Sequence, residues 1–288
     1  AEDGIRDWSV TGVQTCALPI YAGPVKIQVA GPLTLAAGVD LPTGGRLLRD
    51  AGALRDLTDS LAEGVRGHLA EVRRRLPRAT ILLQLDEPSL PAVLAGRVPT
   101  ESGLGTYRPV EEAAARSTLQ TVITAAGTPV VVHCCAPRVP VELLRSAGAV
   151  AVALDLNLIE RRAEWLDPLG AALDAGLGLF AGVAPTSPGR NGSPTGQRTT
   201  AGARGVRSSS RTGPPDAVGG ERPSSAQLAD PIRQLWSQLG FSRSRLAAQV
   251  VVTPACGLAG ASDEYARRVL AACRDAGDRK STRLNSSH

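Results

Sequence analysis

His133 and Cys135 stand two residues apart in Val130-Val131-Val132-His133-Cys134-Cys135, and a further sulfur opens Cys256-Gly257-Leu258. On an extended chain, residues two apart project to one face, so His133 and Cys135 can reach one ion while Cys134 turns away. Zinc prefers a tetrahedral set of Cys sulfur and His nitrogen, with an occasional carboxylate oxygen. Asp155 closes another apolar run. His133, Cys135, Asp155 and Cys256 therefore form a complete zinc set if the strands carrying them converge. The competing reading is packing, because a reduced cysteine behaves as a small buried hydrophobe. A second cluster, Asp86-Glu87-Pro88, follows the most apolar run of the chain, which places both carboxylates at a rim.

Other reactive residue types read as structure. His68 falls between Val65 and Val72 on a helical apolar stripe and is expected to be packed, as is Cys273, four residues after Val269. Gly176-Leu177-Gly178-Leu179-Phe180-Ala181 fits the loosest dinucleotide pattern, G-x-G-x-x-A. That pattern must follow a strand and open a helix, whereas here it leaves a helix and enters a strand. Asn191-Gly192-Ser193 matches a glycosylation sequon by pattern alone.

The elements that must position the chemistry alternate. Apolar runs at 25–30, 80–85, 129–133, 150–155, 177–182 and 249–253 read as buried parallel strands. Helical patterns fall between them, at 46–76, 109–126, 139–147, 164–175, 227–239 and 261–276. In the longest, Leu54, Leu57, Leu61, Val65, Leu69, Val72 and Leu76 recur at steps of three and four, marking one buried face. Unbroken β-α alternation implies a parallel sheet with helical crossovers. Six such strands fall short of the eight of a closed barrel. The expected fold is thus a (β/α)8 TIM barrel lacking its first two βα units, with chemistry at the C-terminal strand ends.

Composition sets the limits. In 288 residues, 43% are hydrophobic and only 3% aromatic, so the core is built of Leu, Val, Ile and Ala. No run of 18 apolar residues is present, and no charged-then-apolar leader opens the chain, so neither a membrane partner nor secretion is expected. The five cysteines are too few for a disulfide scaffold and suit a reducing, cytoplasmic setting. The net charge of +5 is concentrated where folding is least expected. Residues 187–225 hold arginines at 190, 198, 204, 207, 211 and 222 against Asp216 and Glu221. The patterned remainder is nearly neutral and lacks aromatic residues interleaved with basic ones, which excludes a nucleic-acid partner. Segment 187–225 contains no Leu, Ile, Phe, Trp or Tyr and is expected to be a disordered insertion or a frame-shifted stretch. Residues 1–20 and 278–288 read as non-native extensions, leaving a single domain over 21–277. The absence of methionine makes a fragment the expectation.

With these elements in place, Gln84-Leu85-Asp86-Glu87-Pro88-Ser89-Leu90, His133-Cys134-Cys135 and Cys256-Gly257-Leu258 resemble the C-terminal catalytic barrel of cobalamin-independent methionine synthases, and most closely their short single-barrel relatives. Gly31-Pro32-Leu33-Thr34 fits the same family's G-P-x-T strand end, and the resemblance spans about 23–186 and 227–277. It implies a cytoplasmic methyltransferase of methionine biosynthesis with Zn2+ held by His133, Cys135, Asp155 and Cys256. The larger enzymes carry Glu at the position of Asp155. The implied partners are homocysteine and a methyl donor, either 5-methyltetrahydrofolate or a methylcorrinoid protein. Asp86 is the implied partner of the homocysteine amino group, and Glu87 is expected to bind substrate beside it. The family's proton-donating histidine has no counterpart near residues 184–187. Two alternatives remain at this point. One is a uroporphyrinogen decarboxylase-like barrel using Asp86 without metal, which shares D-E-P but leaves H-x-C unexplained. The other is an inactive fragment that keeps its zinc ligands.

Overall fold

A computed structural model describes residues 21–187 and 224–282. The expectations for 1–20, for most of 187–225 and for 283–288 lie outside the described residues. Six strands form one parallel sheet in sequential order: β1 (Pro24–Ala30), β2 (Thr80–Asp86), β3 (Val130–Cys134), β4 (Ala151–Asp155), β5 (Gly178–Ala184) and β6 (Val250–Pro254). Each lies within about two residues of its sequence-based range. Among the described residues the order runs open from β1 to β6 rather than closing on itself, which is consistent with a truncated TIM-like barrel; a complete ring is not seen.

Helices connect the strands: α1 (Pro32–Gly38), α2 (Ala51–Arg75), α3 (Leu90–Leu94), α4 (Glu112–Ala126), α5 (Val141–Ser146), α6 (Ala163–Asp174), α7 (Ser225–Gln238), α8 (Arg243–Gln249) and α9 (Asp263–Thr282). The sequence pattern misses α1, α3 and α8, each two turns or shorter. Asp50 starts α2 by accepting from the Gly52 and Ala53 amides. The buried stripe of α2 is Leu54, Thr58, Ala62, Val65 and Leu69. His68 is exposed, contrary to expectation, because one step of about 100° back from Leu69 carries it off the stripe. Ser224 opens α7 through a capping box with Gln227, two residues ahead of the expected start. The last helix, α9, runs through Thr282, into the stretch read as a tail.

The chain forms two compact units. The first comprises residues up to Leu154 with Leu158–Phe180, and the second Asp155–Asn157 with the residues from Ala181 onward. In the first unit, register fixes which side chains share a face. Lys26 is opposite Leu82, Gln28 opposite Gln84 and Ala30 opposite Asp86. Asp86 in turn is opposite His133, and His133 opposite Ala153. One face therefore carries Lys26, Gln84, Asp86 and His133 above an apolar floor of Leu82, Val131, Ala151, Ala153 and Phe180. The other face holds the wholly buried Leu83, Leu85, Val132 and Cys134. In the second unit α7 packs against α9, and α7 carries the buried Trp236, whose indole Nε1 donates to the Ser242 carbonyl at 2.9 Å. The Tyr265 hydroxyl donates to the Pro185 carbonyl at 3.1 Å.

Candidate functional site

The C-terminal ends of β1 and β2 are tied together by one carboxylate. Glu87 is wholly buried. Its Oε1 accepts from the Leu33 amide at 3.0 Å, and its Oε2 accepts from the Thr34 amide at 2.8 Å and the Thr34 hydroxyl at 2.7 Å. Glu87 thus satisfies amides at the start of α1 that the helix itself leaves without acceptors. The same hydroxyl accepts from the Ser89 amide, and the Glu87 amide donates to the His133 carbonyl at 2.8 Å. Burial pushes the Glu87 carboxyl up to about 7, against the opposing pull of the Thr34 hydroxyl and the two amides. A β-carbon at Gly31 would lie 2.3 Å from Glu87 Oε1, so the G-P-L-T motif needs glycine to admit the clamp. Both Glu87 oxygens are thus engaged by α1, which ties the end of β2 to the start of that helix.

Asp86 lies on the polar face of the sheet. Its Oδ1 accepts from Gln84 Nε2 at 2.6 Å, and the Gln84 Oε1 accepts from Lys26 Nζ. Burial lowers the Lys26 amine below the usual lysine range, opposed by the Asp86 carboxylate. Lys26 is not among the expected site residues, and Gln84 enters the expectations only as the first residue of the Gln84–Leu90 motif; the signal in both is a polar side chain inside a strand.

His133 is 8% exposed, with Nδ1 3.2 Å from the Ala153 carbonyl oxygen. A carbonyl only accepts, so this contact puts the ring proton on Nδ1 and the lone pair on Nε2, the arrangement a metal-binding histidine needs. Cys134 is buried on the opposite face, and burial drives its thiol up to about 12, as its odd place in the H-C-C run requires. Of the four expected ligands, His133 and Cys135 belong to the first unit, at the end of β3, and Asp155 and Cys256 to the second, at the end of β4 and after β6. Asp155 Oδ1 accepts from the backbone amide and side-chain amide of Asn157, both at 2.9 Å, so the carboxylate caps the short 3-10 turn Leu156–Leu158.

Beyond Cys135 the loop is braced. Arg138 has φ 62°, the one left-handed residue other than glycine among those described. It is held by a 3.0 Å ion pair to Glu160 and by its guanidinium lying 5.6 Å from the centre of the Trp165 ring.

A family model for the cobalamin-independent synthase catalytic domain matches residues 19–193, more than half of the chain. The chain belongs to that family. A comparison with curated proteins returns no match. The chemistry of the cobalamin-independent synthase family is methyl transfer to homocysteine. The matched stretch includes Gly31, Asp86, Glu87, His133, Cys135 and Asp155 and ends before Cys256. Cys256, the second expected sulfur ligand, thus lies outside the family match. Among the described residues of this synthase-family chain, no helix is long and apolar enough to cross a membrane.

Proposed function

We propose that the chain is a zinc-dependent S-methyltransferase that methylates the sulfur of homocysteine to give methionine. The observation that carries this reading is the pairing of one imidazole and one sulfur, His133 and Cys135, at the end of one strand in a chain of the cobalamin-independent synthase family, with Cys256 proposed as the second sulfur. The donor set suits zinc. One nitrogen and two sulfurs are borderline-soft ligands, and three protein ligands with an open fourth position is the pattern of catalytic rather than structural zinc sites. Bound there, zinc would favour the thiolate form of a coordinated substrate thiol, which at neutral pH is otherwise mostly protonated.

The remaining steps belong to the protein's own groups. The Ala153 carbonyl keeps the His133 proton on Nδ1, so Nε2 faces its task as a lone-pair donor. Asp86 pairs with the substrate ammonium and sets the direction in which the sulfur points. The thiol proton is lost to solvent, and the thiolate attacks the methyl carbon in line, forming the C–S bond as the methyl–donor bond breaks. The electron pair of that bond leaves on the donor, either on folate N5, which takes a proton from solvent, or on the corrinoid cobalt. The donor is 5-methyltetrahydrofolate or a methylcorrinoid, and a methyl-transfer assay offered each in turn distinguishes them. Zinc content tests the ligand set independently of turnover: wild type is expected to hold one zinc per chain, and Cys256→Ala or His133→Ala clearly less. Equal stoichiometry in all three would remove the assignment.

A further inference from the structure

Lys26, Gln84 and Asp86 form a hydrogen-bonded row across β1 and β2, and the chemistry of its middle member gives the row a direction. A carboxamide has one accepting end and one donating end. Lys26 only donates and the Asp86 carboxylate only accepts, so Gln84 can sit in one orientation alone, with Oε1 toward Lys26 and Nε2 toward Asp86. Gln84 is 7% exposed and so has little access to water as an alternative partner. The register explains why the row exists. Gln28 is opposite Gln84 and Lys26 opposite Leu82, so the lysine must run diagonally toward the strand end to reach the amide. The row ends on Oδ1 of Asp86, and among the described residues no hydrogen bond is made to Oδ2.

We infer that Lys26 and Gln84 are positioning residues that lock the Asp86 carboxylate by Oδ1 and thereby present Oδ2 to the ammonium group of the amino-acid substrate. The inference rests on the amino-acid reading of Asp86 given above. A fixed carboxylate discriminates by geometry, because a neutral or missing group at the same place leaves Oδ2 without its partner. The row therefore serves selection of a thiol that carries an α-amino group over one that does not. Neither Lys26 nor Gln84 touches the substrate in this account.

The test compares binding of L-homocysteine with that of γ-mercaptobutyrate, which is homocysteine without its amino group, to the zinc-loaded full chain by calorimetry. Wild type is expected to prefer homocysteine, and Asp86→Ala to lose the preference. Lys26→Met and Gln84→Leu are expected to weaken homocysteine about tenfold or more, the scale of one hydrogen bond to a charged group. The same variants should leave γ-mercaptobutyrate affinity and zinc content unchanged. Lys26→Arg, which can still donate to Gln84, should restore the preference. A merely structural role would instead weaken both thiols together. Preference lost in Asp86→Ala but kept in Lys26→Met and Gln84→Leu would overturn the row alone. Should Gln84→Leu fail to fold, the part-exposed Lys26→Met decides by itself. Wild type that binds both thiols equally, or neither, would overturn the substrate reading of Asp86 and this inference with it.

Discussion

Gly31 and Glu87 are a pair in which each explains the other. The glycine is required because the carboxylate occupies the space of a β-carbon, and the carboxylate is there because α1 presents amides to it. Glu87→Ala strands three donors in a buried place and should lower unfolding free energy by roughly 2–4 kcal/mol, read from urea denaturation. Gly31→Ala should cost a comparable amount in the native background but much less in Glu87→Ala, where the colliding group is gone. Additive costs would show that the two residues act separately. At this scale His133 and Cys135 were legible as a pair because a spacing of two on a strand is a statement about faces. Lys26 and Gln84 were not, since they are 58 residues apart and only strand register brings them together. Asp155 illustrates a related point: a carboxylate at a strand end can turn onto the next turn of backbone as readily as toward a ligand.

The elements divide by length. The long helix α2 announces itself by period and the six strands by apolar runs, whereas α1, α3 and α8 are too short to show a period. One of these short helices is also consequential for the site, because α1 carries the amides that Glu87 caps. The start of α2 allows a prediction with a sign. The amides of Ala53 and Gly52 hold the Asp50 carboxyl below its ordinary value. Its stabilising effect is therefore fully present above that ordinary value and is lost as pH falls through the lowered one. Asp50→Ala should lower the thermal midpoint at neutral pH, while the wild-type advantage over the variant shrinks under acid conditions. Asp50→Asn, also a good cap, should keep most of the neutral-pH stability and lose the acid dependence. A wild-type advantage unchanged down to pH 2 would refute the cap.

At the scale of the whole molecule, the alternation of strand and helix was enough to give sequential strand order, since short right-handed crossovers leave few other arrangements. What alternation cannot give is the partner that closes a sheet. β1 is terminal in the order, and its side chains alternate between exposed and half-buried, unlike the fully buried β3. Metal linkage offers the measurement at this scale. An ion bound by the native fold and not by the unfolded chain raises stability as its concentration rises. Added zinc should therefore raise the thermal midpoint of wild type, and that rise should be much smaller in His133→Ala. A shift of the same size in both would place the binding elsewhere.

The burial of two thiols has a practical corollary. Cys134 and Cys273 are both buried, their thiols driven up to about 12 and about 11, so neither supplies appreciable thiolate at neutral pH. Maleimide consumed by the folded chain must then come from Cys135, Cys256 or Cys16, the last outside the described residues. Replacing Cys16 with serine would turn a simple alkylation time course into a gauge of occupancy, in which cadmium or zinc shields the remaining reactive sulfurs and a chelator uncovers them.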